Sequence, residues 1–506
     1  MPAIIACYRG GTVTVTSLLF FLSSAVSALI YRQLPARWRN LWLVAVSAAF
    51  VVTWSWKFVI VLLIFAWVNY FIGKKSSPAL TSFKRWARAG IVFNVLFLFV
   101  FKYNGFFLPE FSVFLQSIGI LEPGSILEIL LPVGSSFLVV QNISYLLDVS
   151  NKRLKPETDF IRFFVYILYF PKLLSGPVER ARVFLPRLDA PLVFNRSLAE
   201  RSAALVLTGL LRKIVFANPL FNMIPAAAFT SPQVYAGQQL VFWLLAYAFA
   251  LYNDFAGYTA IIRGVSLWFG IELSPNFNLP YYSRNFTEFW TRWHISLSNW
   301  LRDYIFFPLS RSTMKHFPGR NHILNFVLPP MVTLFVSGLW HGLSWNMLVW
   351  GGLHGLYLVL ERVPSLWRPS IPLDELPHWK QITGRITTFI FAALAWVPFR
   401  MDLPAALTYW KSMFVWKSPQ LIALAQTITG SRLLSDWTGF NLPNPLLLVM
   451  LAAAMIFDHF EHRAGKEDFL LGSPRWVQVL LVIVLLGASL LAFFSDTTAP
   501  FVYQAF

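Results

Sequence analysis

Charge is what this chain has least of. Only 13% of its 506 residues are Asp, Glu, Lys or Arg, about half the share usual in a soluble domain. Hydrophobic residues make up 57%. So little charge excludes a single water-soluble globule and points to lipid as the second solvent. Cysteine is nearly absent as well. Cys7 stands alone, which excludes an intrachain disulfide and a cysteine-based zinc site. There is no basic tail and no nucleic-acid-binding motif, so the net charge of +18 is not read as a nucleic-acid footprint. The basic residues fall between apolar runs, where positive-inside orientation and anionic lipid account for them. Aromatic residues are abundant, with 49 Phe and 21 Trp, as membrane-interface belts and apolar interiors require.

A membrane-crossing helix needs about 20 mostly apolar residues. Candidates lie near 12–31, 41–55, 58–73, 88–108, 128–148, 159–176, 202–222, 238–262, 323–340, 344–360, 384–400, 443–458 and 476–494. Two are weakened by internal charge: 159–176 holds Arg162 and Lys172, and 202–222 holds Arg212 and Lys213. The expectation is an all-α polytopic protein with about eleven transmembrane helices and one or two re-entrant or interfacial ones. The first apolar run, preceded by Arg9 and ending near Ser24–Ala28, has the look of a signal peptide. More basic residues follow it (Arg32, Arg37, Arg39) than precede it, which favours a retained first helix. The loop with Lys74, Lys75, Lys84, Arg85 and Arg88 belongs in the cytoplasm, whereas the stretch 103–127 has no Lys or Arg and reads as an outer loop. No internal repeat and no separate soluble domain is visible. We therefore read 1–506 as one membrane domain, with a core of about 128–360 and peripheral helices in 1–108 and 384–506.

The informative region is 254–354. Asp254-Phe-Ala-Gly-Tyr258 closes an apolar run, and Pro275–Ser283, with two prolines, is non-helical. Asn285 can then cap a helix, with Glu288 at the reciprocal capping-box position. On one continuous helix, Trp290, Trp293, Leu297, Trp300 or Leu301, and Tyr304 make an apolar stripe. Arg292, Ser296, Asn299 and Asp303 make the other side. His294 sits on the apolar side as its one titratable group. It is a core histidine or a functional one.

His341 stands in a stronger context. No Asp, Glu, Lys or Arg occurs between Ile323 and Leu360, a length fitting two membrane helices. Pro329-Pro330 is expected to disrupt the first, and Ser337–Trp345 to form the joint. An ionisable group inside such a run is costly and is a functional candidate by default; the plainer reading is a membrane-edge histidine in a hairpin turn. A buried neutral imidazole can take the proton of a hydroxyl as that hydroxyl attacks a thioester. A second polar group, here His294, can orient the base or stabilise the oxyanion. Arg292 and Arg302 could attract a phosphorylated donor or face lipid headgroups. His354, in Trp350-Gly-Gly-Leu-His354-Gly, reads as a packing residue. A metal site built from His294, His341 and His354 has no supporting ligand spacing.

Several motifs together carry a resemblance. They are Leu131-Pro-Val-Gly-Ser-Ser136, Gln141-Asn-Ile-Ser-Tyr-Leu-Leu-Asp148, Phe170-Pro-Lys-Leu-Leu-Ser-Gly-Pro177, Asp254–Tyr258, Phe289-Trp-Thr-Arg-Trp-His294 through Asp303-Tyr304, and Gly338-Leu-Trp-His-Gly342. With these the chain resembles the membrane-bound O-acyltransferase family, in its alginate O-acetyltransferase branch. The likeness runs from the first span to the C-terminal Pro500–Phe506. It implies that His341 is the reactive histidine and His294 its partner, within a tunnel crossing the membrane. Trp290, Arg292, Trp293, Asn299, Trp300, Arg302, Asp303 and Trp340 are then expected along the substrate path. No resident cofactor or metal is implied. The donor would be an acyl thioester, acetyl-CoA or an acyl carrier, on the cytoplasmic side of a bacterial cell membrane. The acetyl group would pass through an extracytoplasmic partner to a secreted polysaccharide. A sibling branch transfers D-alanine to teichoic acids; a transporter or an export scaffold is the non-enzymatic alternative. The branch has a turn after Pro308, where this chain reads Ser310-Arg-Ser-Thr313.

Overall fold

A computed structural model describes residues 14–118, 122, 134–190, 195–318, 322–366, 371–415 and 445–495. Cys7, Leu131–Val133 and Pro500–Phe506 lie outside these. Helix is the regular secondary structure of the described residues, which contain no strand. Two compact units divide the chain: Met1–Val206 with Ile261–Pro275, and Leu207–Ala260 with Asn276–Gln504.

The first unit begins with α1 (Leu18–Gln33), α2 (Ala36–Val52), α3 (Trp56–Lys75), α4 (Phe83–Lys102) and α5 (Asn104–Ser117). On α3, Trp56, Ile60, Leu63, Ile64, Trp67 and Phe71 are exposed while Phe58, Leu62, Phe65, Ala66 and Asn69 are buried. The exposed stripe recurs every three to four residues and is wholly apolar, so this face suits lipid and not water. The Asn94 amide of α4 donates to Asn69 Oδ1 at 2.6 Å, which links two polar side chains inside an apolar contact. The helix α5 falls where a loop was expected. The Phe/Leu-rich run at 106–115, with Glu110 as its one charged residue, continues the helical pattern there.

Further helices of this unit are α6 (Ser135–Ser150), α7 (Phe160–Leu168) and α8 (Ala181–Arg187). The candidate span at 159–176 is not one: α7 has 9 residues, about 14 Å at 1.5 Å per residue. Its charge, Lys172, is completely buried. The ammonium donates to the Gln141 side-chain oxygen and, at 2.6 Å, to the Tyr166 carbonyl, and lies over the Tyr166 and Phe184 rings. Two acceptors and two aromatic faces replace the water this cation gives up.

The helix α9 (Arg196–Leu210) continues without a break through a π-helical stretch, Leu211–Ala217, to Asn222. The pair Arg212 and Lys213 does not weaken this span, as the sequence suggested, because both find buried partners (below). It is one of six helices among the described residues that are long and apolar enough to cross a membrane. The others are α3, α10 (Gly237–Trp268), α14 (Ile323–His341), α16 (His378–Arg400) and α18 (Pro445–Ala464). Between α10 and α14 lie α11 (Phe286–Arg292), α12 (Ile295–Leu301) and α13 (Phe307–His316); α15 (Trp345–Arg362), α17 (Leu403–Ser412) and α19 (Arg475–Ser495) complete the order.

Four expectations need correction. Asp254–Tyr258 lies inside α10, not at its end. Residues 286–304 are not one helix: they break at Trp293–His294, and a π-helical turn, Arg302–Phe306, follows α12. Residues 310–313 belong to α13 and form no turn. Pro329 and Pro330 sit within an unbroken α14. Proline fixes φ near the helical value and forfeits only its own N–H bond, which a packed helix tolerates. One turn on, the Thr333 hydroxyl donates back to the Pro329 carbonyl at 2.6 Å, an added bond beside the proline pair.

Candidate active site

The second unit holds the histidines. A short α11 must be held from outside, because seven residues cannot sustain a helix alone. Its first free N–H groups are all met. Asn285 Oδ1 accepts from Glu288 N at 2.7 Å, as the sequence suggested. Glu288 reaches back one residue further than expected, to Arg284 N at 2.8 Å. The remaining donors go to Glu361 at the far end of α15. Its carboxylate accepts from Phe286 N at 2.6 Å, Thr287 N at 3.2 Å and Thr287 Oγ1 at 2.6 Å.

At its other end α11 stops because His294 adopts φ 43°, ψ 51°, the left-handed region that non-glycine residues rarely occupy. A second segment fixes that conformation. Asn278 N donates to Arg292 O at 3.0 Å and Ile295 N to Asn276 O at 2.8 Å. The Ser296 hydroxyl donates to Asn276 Oδ1 at 2.5 Å. The strained residue is thus clamped by the non-helical stretch that the two prolines produce, a usual circumstance at functional positions.

His294 is 1% exposed. Its ring stands edge-on to Phe255 at 4.9 Å and packs 6.2 Å from Trp340. Burial pushes its imidazole down to about 3 from an ordinary 6.5, opposed only by its own backbone hydrogen bond. His341, the last residue of α14, is also buried and lies 4.8 Å from the same Trp340 ring. Trp350 and Phe399 each stand 5.2 Å from it, edge-on. The two imidazoles are therefore neighbours across one indole, enclosed by aromatic rings. Only Gly342–Ser344 separate α14 from α15. The two helices approach so closely that a Cβ on Gly338 would lie 2.2 Å from Met347 O, and one on Gly351 2.3 Å from Leu334 O.

The other residues singled out from sequence fall into two groups. Trp293 is buried against Trp396 (4.7 Å), Phe277 and Phe289, Trp290 lies 5.1 Å from His354, and Trp340 joins the histidines. These belong to one aromatic cluster. Trp300 is buried against Tyr304, and Asn299 is half-buried beside it on α12. Arg292 turns to Glu288 at 2.9 Å and to the Asn278 carbonyl. The Glu288 carboxyl is held below its usual range. Burial alone would raise it, and the Arg284 hydrogen bonds and Arg292 outweigh that. Arg302 is exposed and pairs with Asp303 at 3.1 Å. Among the described residues no group of three His, Cys, Asp or Glu side chains is placed to hold a metal ion.

Sequence reading missed a charged cluster. Arg212 donates to Asn253 Oδ1, Asp458 Oδ1 and Glu461 Oε2, each at 2.7 Å. Lys213 bonds Asp254. Consecutive residues on the π-helical stretch thus meet consecutive residues of α10, and the next residue, Phe255, touches His294. The signal was present: two adjacent cations and one acid inside apolar runs imply partners for each other. The π-helical turn is itself frequent at functional sites.

With this geometry in hand, the comparisons with known proteins are informative. The profile of the membrane-bound O-acyltransferase family matches residues 13–399. A probable alginate O-acetylase of Azotobacter vinelandii is 30% identical, covering 88% of this chain and 84% of the relative. A peptidoglycan O-acetyltransferase of Helicobacter pylori is 28% identical, covering 97% of both chains. A teichoic acid D-alanyltransferase of Bacillus subtilis is 28% identical over 53% of this chain and 68% of the relative.

Proposed function

Because the chain belongs to the membrane-bound O-acyltransferase family, and is thus a multi-pass membrane acyltransferase, we propose that it acetylates a secreted or cell-surface polysaccharide through His341 and His294. The observation that carries this reading is the burial of both imidazoles around Trp340.

In the proposed reaction, neutral His341 takes the proton of an acceptor hydroxyl as its oxygen attacks the thioester carbon. The tetrahedral intermediate collapses with loss of the thiolate, which recovers that proton. His294, held in a strained backbone, orients the reacting groups beside its partner. Trp290, Trp293, Trp300, Trp340, Asn299 and Asp303 line the substrate path, and Arg292 and Arg302 lie toward the phosphorylated part of the donor. The donor is acetyl-CoA or an acyl carrier at the cytoplasmic face of the cell membrane. The path is a tunnel within about eleven spans, and an extracytoplasmic partner hands the acetyl group to the polymer. The two O-acetylating relatives cover more of this chain than the D-alanyl-transferring one, which favours a glycan acceptor over teichoic acid. The test is His341→Ala in cells fed labelled acetate. Ester-linked label on the surface polysaccharide should disappear while the protein remains in the membrane. Undiminished label would reject the assignment.

A further inference from the structure

Near His341 lies a second set of buried polar groups whose N–H and lone pairs the proposed reaction gives no chemical role. His354, Trp290 and Trp350 form a triangle, with ring centroids 5.1 Å apart for His354–Trp290, 5.1 Å for His354–Trp350 and 6.1 Å for Trp290–Trp350. His354 has no solvent exposure and Trp350 has 1%. Both ring nitrogens of His354 and the indole nitrogens of Trp290 and Trp350 are buried without a hydrogen-bond partner among the described residues. Phe286, Phe289 and Tyr357 enclose the imidazole on its other sides.

Packing alone does not account for this choice of residues. A neutral imidazole carries one N–H and one lone pair, and each indole one N–H. Each such group buried unpaired is destabilising, whereas a phenylalanine at 354 would fill the space without that cost. Buried polar atoms are nearly always paired, and exceptions that cluster call for a functional explanation. The triangle also abuts the proposed base: Trp350 touches His354 on one side and His341, at 5.2 Å, on the other.

We propose that His354, with the indole N–H groups of Trp290 and Trp350, binds the carbonyl oxygen of the acyl group being transferred. The proposal rests on the acyltransfer reading and adds the residues that stabilise charge. As the acceptor oxygen bonds to the thioester carbon, the carbonyl π pair moves onto oxygen. When the C=O re-forms, the C–S bond breaks, and the departing sulfur takes the proton that His341 holds. The negative charge on oxygen exists only between those events. Neutral N–H donors fixed in an aromatic, water-poor enclosure favour it selectively. His354 is thereby a catalytic residue and not a filler, and its tautomer with an N–H toward the triangle is the active one.

The experiment uses the full-length protein in its own cells, fed labelled acetate, with ester-linked label on surface polysaccharide as the readout, so that no donor need be assumed. His354→Phe keeps the ring and removes the nitrogens. Trp350→Phe removes a single N–H. His341→Ala serves as the reference, and the amount of each protein in the membrane and its thermal midpoint in detergent are measured alongside. We expect His354→Phe to lose at least about tenfold in initial labelling rate, and up to the roughly 10²–10³-fold typical of deleting one oxyanion donor, with a midpoint no lower than wild type. Trp350→Phe should lose a similar factor, and His354→Gln should recover part of the rate. If His354→Phe does not accumulate, Trp350→Phe decides. A loss smaller than about tenfold in the deciding variant, with His341→Ala inactive, overturns this inference and leaves the acyltransferase reading standing. Full labelling by His341→Ala overturns both.

Discussion

The Glu361 carboxylate accepts the backbone N–H of Phe286 at 2.6 Å, across 75 positions of sequence. A helix start is thereby capped by the end of another helix. Because α11 leads into His294 and α15 begins just after His341, this cap ties together the two segments that carry the histidines. Glu361→Ala leaves two backbone N–H groups and one hydroxyl without that acceptor. The loss should be about 1–2 kcal/mol of stability, as for other cap deletions. Acyl transfer should fall with it, since α11 has nothing else to replace the cap. Thermal unfolding in detergent checks this; an unshifted midpoint would show that water serves α11 equally well.

His294 sits at φ 43°, so its backbone and its side chain make separable demands. Glycine enters this region without steric cost, whereas alanine meets about 1–2 kcal/mol of strain. His294→Gly should therefore be at least as stable as His294→Ala, the reverse of the order expected inside a helix. Both should be inactive. Asparagine, which tolerates this conformation better than other non-glycine residues, should give the best-folded non-histidine variant that keeps a polar side chain. Comparing the three thermal midpoints tests the point, and an alanine variant more stable than the glycine one would contradict it.

The depressed pKa of His294 makes a pH prediction with a definite sign. The folded protein holds this imidazole neutral down to about 3, while the unfolded chain protonates it near 6.5. Its neutral form supports the fold fully above that upper value. As pH drops below it the unfolded state binds the extra proton, and folding loses about 1.4 kcal/mol per pH unit, or about 2 kcal/mol by pH 5. Wild type should lose more stability than His294→Asn between pH 7 and pH 5. Parallel melting curves for the two across that interval would refute it.

Arg212 meets two carboxylates and an amide in the interior of the second unit. Arg212→Met strands Asp458 and Glu461 beside each other without their cation. Breaking a buried ion pair from one side costs about 3–5 kcal/mol, enough to reduce the folded yield sharply. Adding Asp458→Asn to that variant removes one stranded charge and should recover part of the yield. Equal yields for the single and double variants would argue that lipid or water already solvates the acids.

Much of this could be read from residue order. The deficit of charge, the apolar runs and the quoted motifs were enough to identify a helical membrane protein of this family and to single out His294 and His341 as candidates. Charge starvation dictates a lipid environment whatever the packing, and an imidazole in an uncharged run is conspicuous on its own. The helix break at His294 was not legible, because it depends on Asn276 and Asn278 pairing with 292–296 and not on local propensity. Nor were the tolerance of Pro329-Pro330 within α14, the partners of Arg212 and Lys213, or the cap that Glu361 lends to α11. Those are contacts between distant segments, decided by which polar groups can find each other once water is excluded. Tertiary structure alone brought His294 against the Trp340–His341 pair, since sequence spacing says nothing of which segments pack together.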